Sequence, residues 1–143
     1  MNLFNEKIRE LGTLLNTPLH TFKEYFCTLI IQNFFKVHLE YEPNQDRILI
    51  ASFLCDVPPG HFREEVFLES LKSNSSINSF GSFGFEETQN KLAFFIYIPA
   101  LVPTQQLADI LAHFIEEGKK WKVAVDTGDL SQIKQHTSPP LQL

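Results

Sequence analysis

The residues able to do chemistry are few and scattered. Five histidines, His20, His38, His61, His113 and His136, stand singly along the chain. His113 and Glu117 are spaced i, i+4, which on a helix puts an imidazole and a carboxylate on one face, as two metal ligands require. No third ligand is spaced to close such a site, and a solvated polar helix face accounts for the pair more simply. Gly81-Ser-Phe-Gly84 resembles part of a glycine-rich phosphate loop, but it lacks the following Gly-Lys-Ser/Thr and does not open a helix. Small residues that let a strand bend are the simpler reading. Ser82 has no GxSxG setting for a nucleophile. Cys27 and Cys55 fall in apolar, strand-like stretches, where burial raises a thiol's pKa and leaves it inert. The acidic residues Glu64, Glu65, Glu86, Glu87, Glu116 and Glu117 lie in turns or as adjacent pairs that diverge around a helix, so they do not converge as acid and base. No active site assembles. The expectation is a protein with no catalytic residues, no bound metal and no cofactor.

Composition narrows the class. The chain has 143 residues, 43% hydrophobic and 20% charged, which suits one folded domain. Fourteen phenylalanines against a single Trp and a single Met need either a deep core or an apolar surface that a partner covers. The net charge is -5, and no Lys/Arg cluster interleaves with aromatics, so nucleic acid and anionic membrane are not expected partners. A basic partner segment would suit the charge. No stretch approaches the roughly 18 apolar residues of a membrane span. Met1 to Arg9 carries charges where a signal peptide would be apolar, and the two cysteines form no CxxC. A reducing cytoplasm with both thiols free is the expected setting.

The elements that must position these residues follow from periodicity. Asn2 to Asn16 reads as a helix, with Asn2 as cap and Phe4, Ile8, Leu11 and Leu15 on one stripe; Thr17-Pro18 ends it. A first strand is expected in Cys27 to Gln32. Phe35 to Glu42 alternates apolar and polar residues as a half-buried strand does, and Pro43 to Asp46 is turn chemistry. Arg47 to Cys55 is a third strand, apolar on both faces: Ile48, Ile50 and Leu54 on one, Leu49, Ala51 and Phe53 on the other. Pro58-Pro59-Gly60 precedes a second helix, Phe62 to Lys72. Two strands, Ser79 to Phe85 and Lys91 to Pro99, flank the turn Glu86 to Asn90, and a third helix starts at Pro103 and runs through Trp121. The order α-β-β-β-α-β-β-α predicts an α+β domain with an antiparallel sheet over residues 1–129. Residues 130–143 read as a flexible C-terminal tail.

One sheet covered by helices on one side buries only one face, yet three strands are apolar on both. Either the core is deeper than this, or the surplus serves a homodimer and grooves for an extended polypeptide. Phe62, Val66, Phe67 and Leu71 give the second helix apolar surface on more than one side, which predicts a dimer interface of about 1,600 Å² in total. Leu3, Phe4, Ile8 and Leu14 of the first helix, with Val37 and Leu39 of the neighbouring strand, are the candidate client-binding residues; the same stripe would serve equally as core. A different class, a small α+β enzyme or ligand-binding domain with a Phe-lined pocket, would instead enclose a cavity with converging polar groups.

The ordered series from Asn2 to Val125 resembles the class I type III secretion chaperones, the family that includes the Tir chaperone. The resemblance rests on the amphipathic first helix, on Phe35 to Glu42 followed by Asn44-Gln-Asp-Arg47-Ile-Leu-Ile, and on Pro58-Pro59 before Phe62 to Leu71. It continues through Phe80-Gly-Ser-Phe-Gly-Phe85 and Lys91 to Pro99, and ends near Trp121. It implies a homodimer that holds the N-terminal segment of a secreted effector polypeptide, keeps it non-globular and presents it to the secretion ATPase, without using ATP itself. Two features depart from the family pattern: Ser73-Asn-Ser-Ser76 stands where a Leu- and Gly-rich stretch is usual, and the tail is not distinctly acidic.

Overall fold

The computed structural model of the protein describes residues 3–19 and 21–136. Asn2, read as a helix cap, His20 and residues 137–143 of the expected tail lie outside the described residues.

The stripe Phe4, Ile8, Leu11 buries helix α1 (Leu3–Leu14). Asn16 ends it with φ 53°, while the N–H of Thr17 bonds to the Gly12 carbonyl and that of Asn16 to Thr13. This is a left-handed closure that Asn tolerates, and it stops the helix before Pro18 can act. The chain then turns back so closely that a Cβ on Gly12 would stand 2.8 Å from the Thr17 carbonyl oxygen.

Six strands form one antiparallel sheet: β1 (Thr21–Lys23), β2 (Phe26–Ile31), β3 (Phe35–Glu42), β4 (Arg47–Asp56), β5 (Ser82–Glu86) and β6 (Lys91–Pro99), in the order β1-β2-β3-β4-β6-β5. Short β1 is an addition to the expected order. Its turn into β2 depends on Tyr25 at φ 72°, a conformation that no glycine or asparagine announces. The other tight turns use Asn33, Asp46 and Asn90 at positive φ, residue types that suit it. Helix α2 (His61–Ser75) packs against β5, and α3 (Thr104–Thr127) lies over β4 and beside α1.

Strand alternation decides what α3 covers. In β4, Ile48, Ile50, Ser52 and Leu54 are buried, and their partners across the ladder include Ile98, Ile96 and Phe94. A bulge between Phe53 and Cys55 brings Cys55 inward as well. The centre is a run of rings: Phe83 on Phe94 at 4.6 Å, Phe94 on Phe114 at 4.6 Å, and Phe83 on Trp121 at 4.2 Å. The alternate residues Leu49, Ala51 and Phe53, with Ala93, Phe95 and Tyr97 of β6, face the other way and stay partly exposed.

The chain beyond α3 departs from the expected tail. Gly128 at φ 72° closes α3, and Ser131–His136 forms a further helix, α4, with Leu130 and Ile133 buried. Two apolar side chains spaced i, i+3 are enough to hold one turn and a half against the core, so the segment 130–136 is structured rather than loose.

Gly118 marks the closest approach of α3 to the sheet. A Cβ there would come within 2.7 Å of the Phe35 ring and 3.0 Å of Leu54. Gly118→Val is expected to destabilise the fold by about 1–3 kcal/mol through overpacking. A urea unfolding midpoint equal to that of the parent protein would contradict this packing.

Candidate functional site

The candidate site is a surface of grooves, built where the helices stop covering the sheet. At the N-terminal end of α1 an open groove of about 630 Å³ runs between the helix and the ends of β3 and β4. Phe4, Tyr25, Tyr41 and Ile48 form its apolar part, Leu3 and Ala100-Leu101 its margin, and Glu6, Lys7, Glu10, Glu24 and Asp46 its polar part. Leu3 is 73% exposed and Leu101 81%. The aromatic wall is ordered: Phe4 stacks on Tyr41 at 6.1 Å, and Tyr25 meets Tyr41 edge-on at 5.2 Å. Tyr25 keeps its left-handed backbone because its carbonyl accepts the Tyr41 N–H at 2.9 Å. Lys7 donates to the Val102 carbonyl, and Glu10 accepts from the Thr104 hydroxyl at 2.7 Å, so α1 is tied to the start of α3.

Of the residues assigned to client binding, Leu3 and Phe4 line this groove, while Leu14 lies half-exposed at the far end of α1. Ile8, Val37 and Leu39 do not. Each is at most 1% exposed and belongs to the chain's own core, because their sheet face is the one that the helices cover. Their assignment to a client surface is therefore corrected to core. Tyr25, Leu101, Glu24 and Asp46 carry no periodic signal; a large apolar residue in the loop Ala100-Leu-Val-Pro103 was the one available hint.

The second helix divides similarly. Val66 is fully buried, and its assignment to a dimer interface is corrected to core. Phe62 is half-buried against the core, and Phe67 meets Phe85 edge-on at 4.8 Å. Leu71, with its neighbour Leu68, faces outward at 64% and 53% exposure. Asn74 shields the edge of the sheet: its side chain accepts the Phe83 N–H at 2.7 Å and donates to the Phe83 carbonyl at 2.9 Å. Glu69 is buried with one carboxylate oxygen 3.4 Å from Lys72 Nζ; the other has no hydrogen-bond partner among the described residues.

A third surface is the outer face of the sheet, where His38, Leu49, Ala51, Phe53, Phe95 and Tyr97 bound a shallow hollow of about 240 Å³. The His38 Nδ1 lies 3.1 Å from the Thr28 hydroxyl, and burial, then the Lys36 charge, hold this imidazole below its ordinary pKa.

The groups weighed for chemistry are dispersed. Among the described residues no three His, Cys, Asp or Glu side chains gather as metal ligands. His113 lies against Phe80, ring centres 4.2 Å apart and tilted by 33°. No helix of the described residues is long and apolar enough to cross a membrane.

The model of the Tir chaperone protein (CesT) family matches residues 6–122. No curated protein matches the chain in sequence. Among solved structures, a chain of the HopA1-SchA chaperone-effector complex superposes with a TM-score of 0.70 at 19% identity, covering 85% of this chain and 94% of that one. A chain of the heterodimeric ExoU-SpcU complex from the type III secretion system of Pseudomonas aeruginosa gives 0.63 at 14% identity, covering 86% and 98%. A chain of the Yersinia pestis type III secretion chaperone SycH bound to a stable fragment of YscM2 gives 0.63 at 13% identity, covering 82% and 98%. At these identities the likeness is one of fold.

The two thiols offer a test of how the core excludes chemistry. Burial raises the pKa of Cys27, and burial followed by the Asp126 charge pushes Cys55 up to about 12. Iodoacetamide at about pH 8 is expected to label the native protein far more slowly than the urea-unfolded chain, since only thiolates react. With the native pKa raised, the contribution to stability is complete below the unfolded thiol's value and is lost above it. Stability should therefore fall as the pH rises past about 9. Labelling at the unfolded rate would contradict both statements.

Proposed function

Because the chain belongs to the Tir chaperone protein (CesT) family, we propose that it is a type III secretion chaperone that holds the N-terminal segment of a secreted effector in an extended, secretion-competent form. The observation that carries this reading is the one-sided sheet. The chain's helices cover one face, leaving Leu49, Phe53, Phe95 and Tyr97 on the other and an aromatic groove at the end of α1. Apolar surface of this kind on a single chain marks a site for another polypeptide. The chaperone-effector complexes among the similar structures support the same class of partner. The phenylalanines, meanwhile, pack ring on ring rather than lining an enclosed cavity, which disfavours a small enzyme or ligand-binding domain.

In this reading the client lies extended along the α1 groove and the outer sheet face, and its alternate side chains enter apolar hollows while backbone groups stay satisfied. The protein acts in the cytoplasm without catalysis or cofactor, hands its client to the secretion ATPase and works as a homodimer. The dimer forms through the outward side of α2. Leu68 and Leu71 supply its centre, with Phe62 and Phe67 at the border, since these two are already partly engaged within their own chain.

Two experiments separate the surfaces. Leu3→Asp places a charge on an exposed groove margin, so it should weaken capture of a co-expressed client segment at least tenfold while the melting temperature stays within about 2 °C. Capture at the parental level would remove the groove from the reading. For the dimer, Leu71→Glu combined with Leu68→Glu is expected to yield a folded monomer by light scattering with unchanged circular dichroism. An intact dimer would move the interface away from α2.

A further inference from the structure

We propose that the α1 groove selects a client segment bearing an arginine between apolar residues. This inference rests on the groove being a client site. It adds the chemistry that the groove recognises.

Four carboxylates line the groove, Glu6, Glu10, Glu24 and Asp46, against one lysine. Lys7 is turned to the Val102 carbonyl, and among the described residues none of the four carboxylates pairs with a lysine or arginine. The charge is therefore uncompensated where apolar surface is also bare. Elsewhere on the chain some acidic side chains are paired with basic neighbours, as in Glu42–Arg47, Asp56–Lys91 and Asp126–Lys122, and others such as Glu65 and Glu87 stand alone among the described residues. The groove differs in bringing four carboxylates together beside aromatic surface. The groove's own tyrosines register the field. The Glu24 carboxylate holds the Tyr25 phenol above its ordinary pKa, and the hydrogen bond to Asp46 does the same for Tyr41.

An arginine satisfies both halves of this surface. Its guanidinium is planar, stacks on aromatic faces and offers a fork of donors to carboxylates. The half-buried rings of Tyr25 and Tyr41, backed by the buried Phe4, supply the aromatic surface, and Glu6, Glu24 and Asp46 supply acceptors beside it. The same chain already makes this contact internally, with the Arg47 guanidinium 3.7 Å from the centre of the Tyr97 ring and that of Arg63 4.8 Å from Phe85. A lysine brings the charge but neither the plane nor the fork, and it is more strongly hydrated. Apolar neighbours in the client would rest on Leu3 and Leu101 at the margin, with Ile48 forming the buried floor. The groove's volume of about 630 Å³ is within the range that encloses a ligand of a few side chains.

The test uses fluorescein-labelled extended peptides with apolar residues at alternate positions, identical except for a central arginine, lysine, citrulline or glutamate. Anisotropy measures affinity and amide NMR shifts locate binding on the full-length protein. The arginine peptide is expected to bind about tenfold tighter than the citrulline peptide at low salt, with the lysine peptide between them and the glutamate peptide weakest. In Glu6→Gln/Glu24→Gln, isosteric changes at a half-buried and an exposed position, arginine and citrulline peptides should bind alike, with unchanged circular dichroism showing the fold intact. Equal binding of these two peptides to the parent protein, with shifts at Leu3, Tyr25 and Leu101, would overturn arginine selection but keep the groove as a client site. Binding of lysine as tightly as arginine, or no binding of the arginine peptide, would also overturn it. Shifts confined to the outer sheet face would overturn the groove reading itself.

Discussion

The packing of α3 on one face of the sheet is the constraint from which the rest follows. Phe94 stands between Phe83 and Phe114, and Trp121 closes on Phe83, so strands β5 and β6 and the middle of α3 are joined by rings in contact. Gly118 lets the helix descend onto Phe35 and Leu54, which brings β3 and β4 into the same contact. With α3 seated, α1 is fixed beside it by Phe4, Ile8 and Leu11 and by the tie from Glu10 to Thr104. Helix α4 covers what remains at the other end. All of this stabilisation is spent on one side of the sheet.

The other side keeps the consequences. A sheet so built exposes its outer face and two edges, each a hazard for association. The edge at β5 is shielded by α2, whose Asn74 occupies the N–H and carbonyl of Phe83. The edge at β1 is reduced to three residues by the turn at Tyr25. The centre of the face is left apolar by Leu49, Phe53, Phe95 and Tyr97, with charge at its border from Lys36 and Glu40 of β3 and from Arg47 over Tyr97. Edges managed and a face left bare describe a protein that avoids its own aggregation while keeping a surface for another chain.

Much of this was legible in the sequence, and the limits are physical. Strand alternation in Phe35 to Glu42 and the two apolar faces of Arg47 to Cys55 are properties of side-chain order, so the sheet and its surplus were readable. The stripe Phe4, Ile8, Leu11 announces a helix with one buried side, but a stripe does not say whether the neighbour is the chain's own core or a client. Here α3 takes that place, and Ile8, Val37 and Leu39 go with it. Val66 shows the same ambiguity on α2, where apolar residues all around the helix hide which side meets β5. Strand β1 escaped because its turn depends on Tyr25 in a backbone conformation that tyrosine rarely adopts. Helix α4 escaped because two apolar residues, Leu130 and Ile133, are too few for a periodic signal. The groove escaped most completely: Tyr25, Tyr41 and Leu101 come from a turn, a strand end and a loop, and only the closed fold joins them.

A chaperone of this design separates affinity from chemistry. Holding an unfolded segment requires bare apolar area, and bare apolar area alone would accept almost any exposed hydrophobic chain. Discrimination must then come from groups that penalise the wrong segment more than they reward the right one. Carboxylates placed against aromatic rings do this at little cost to the free protein, because the groove is open and water solvates them when it is empty. On the proposed reading, an apolar segment covering Glu6, Glu24 and Asp46 strips that water, and a segment without a cation leaves their charge with no counter-ion. In the groove proposed as the client site, the aromatic wall would thus provide adhesion of little selectivity, and the desolvation of the carboxylates the selection. The net charge of -5 acts in the same direction at longer range, steering basic segments toward the chain and acidic ones away before contact.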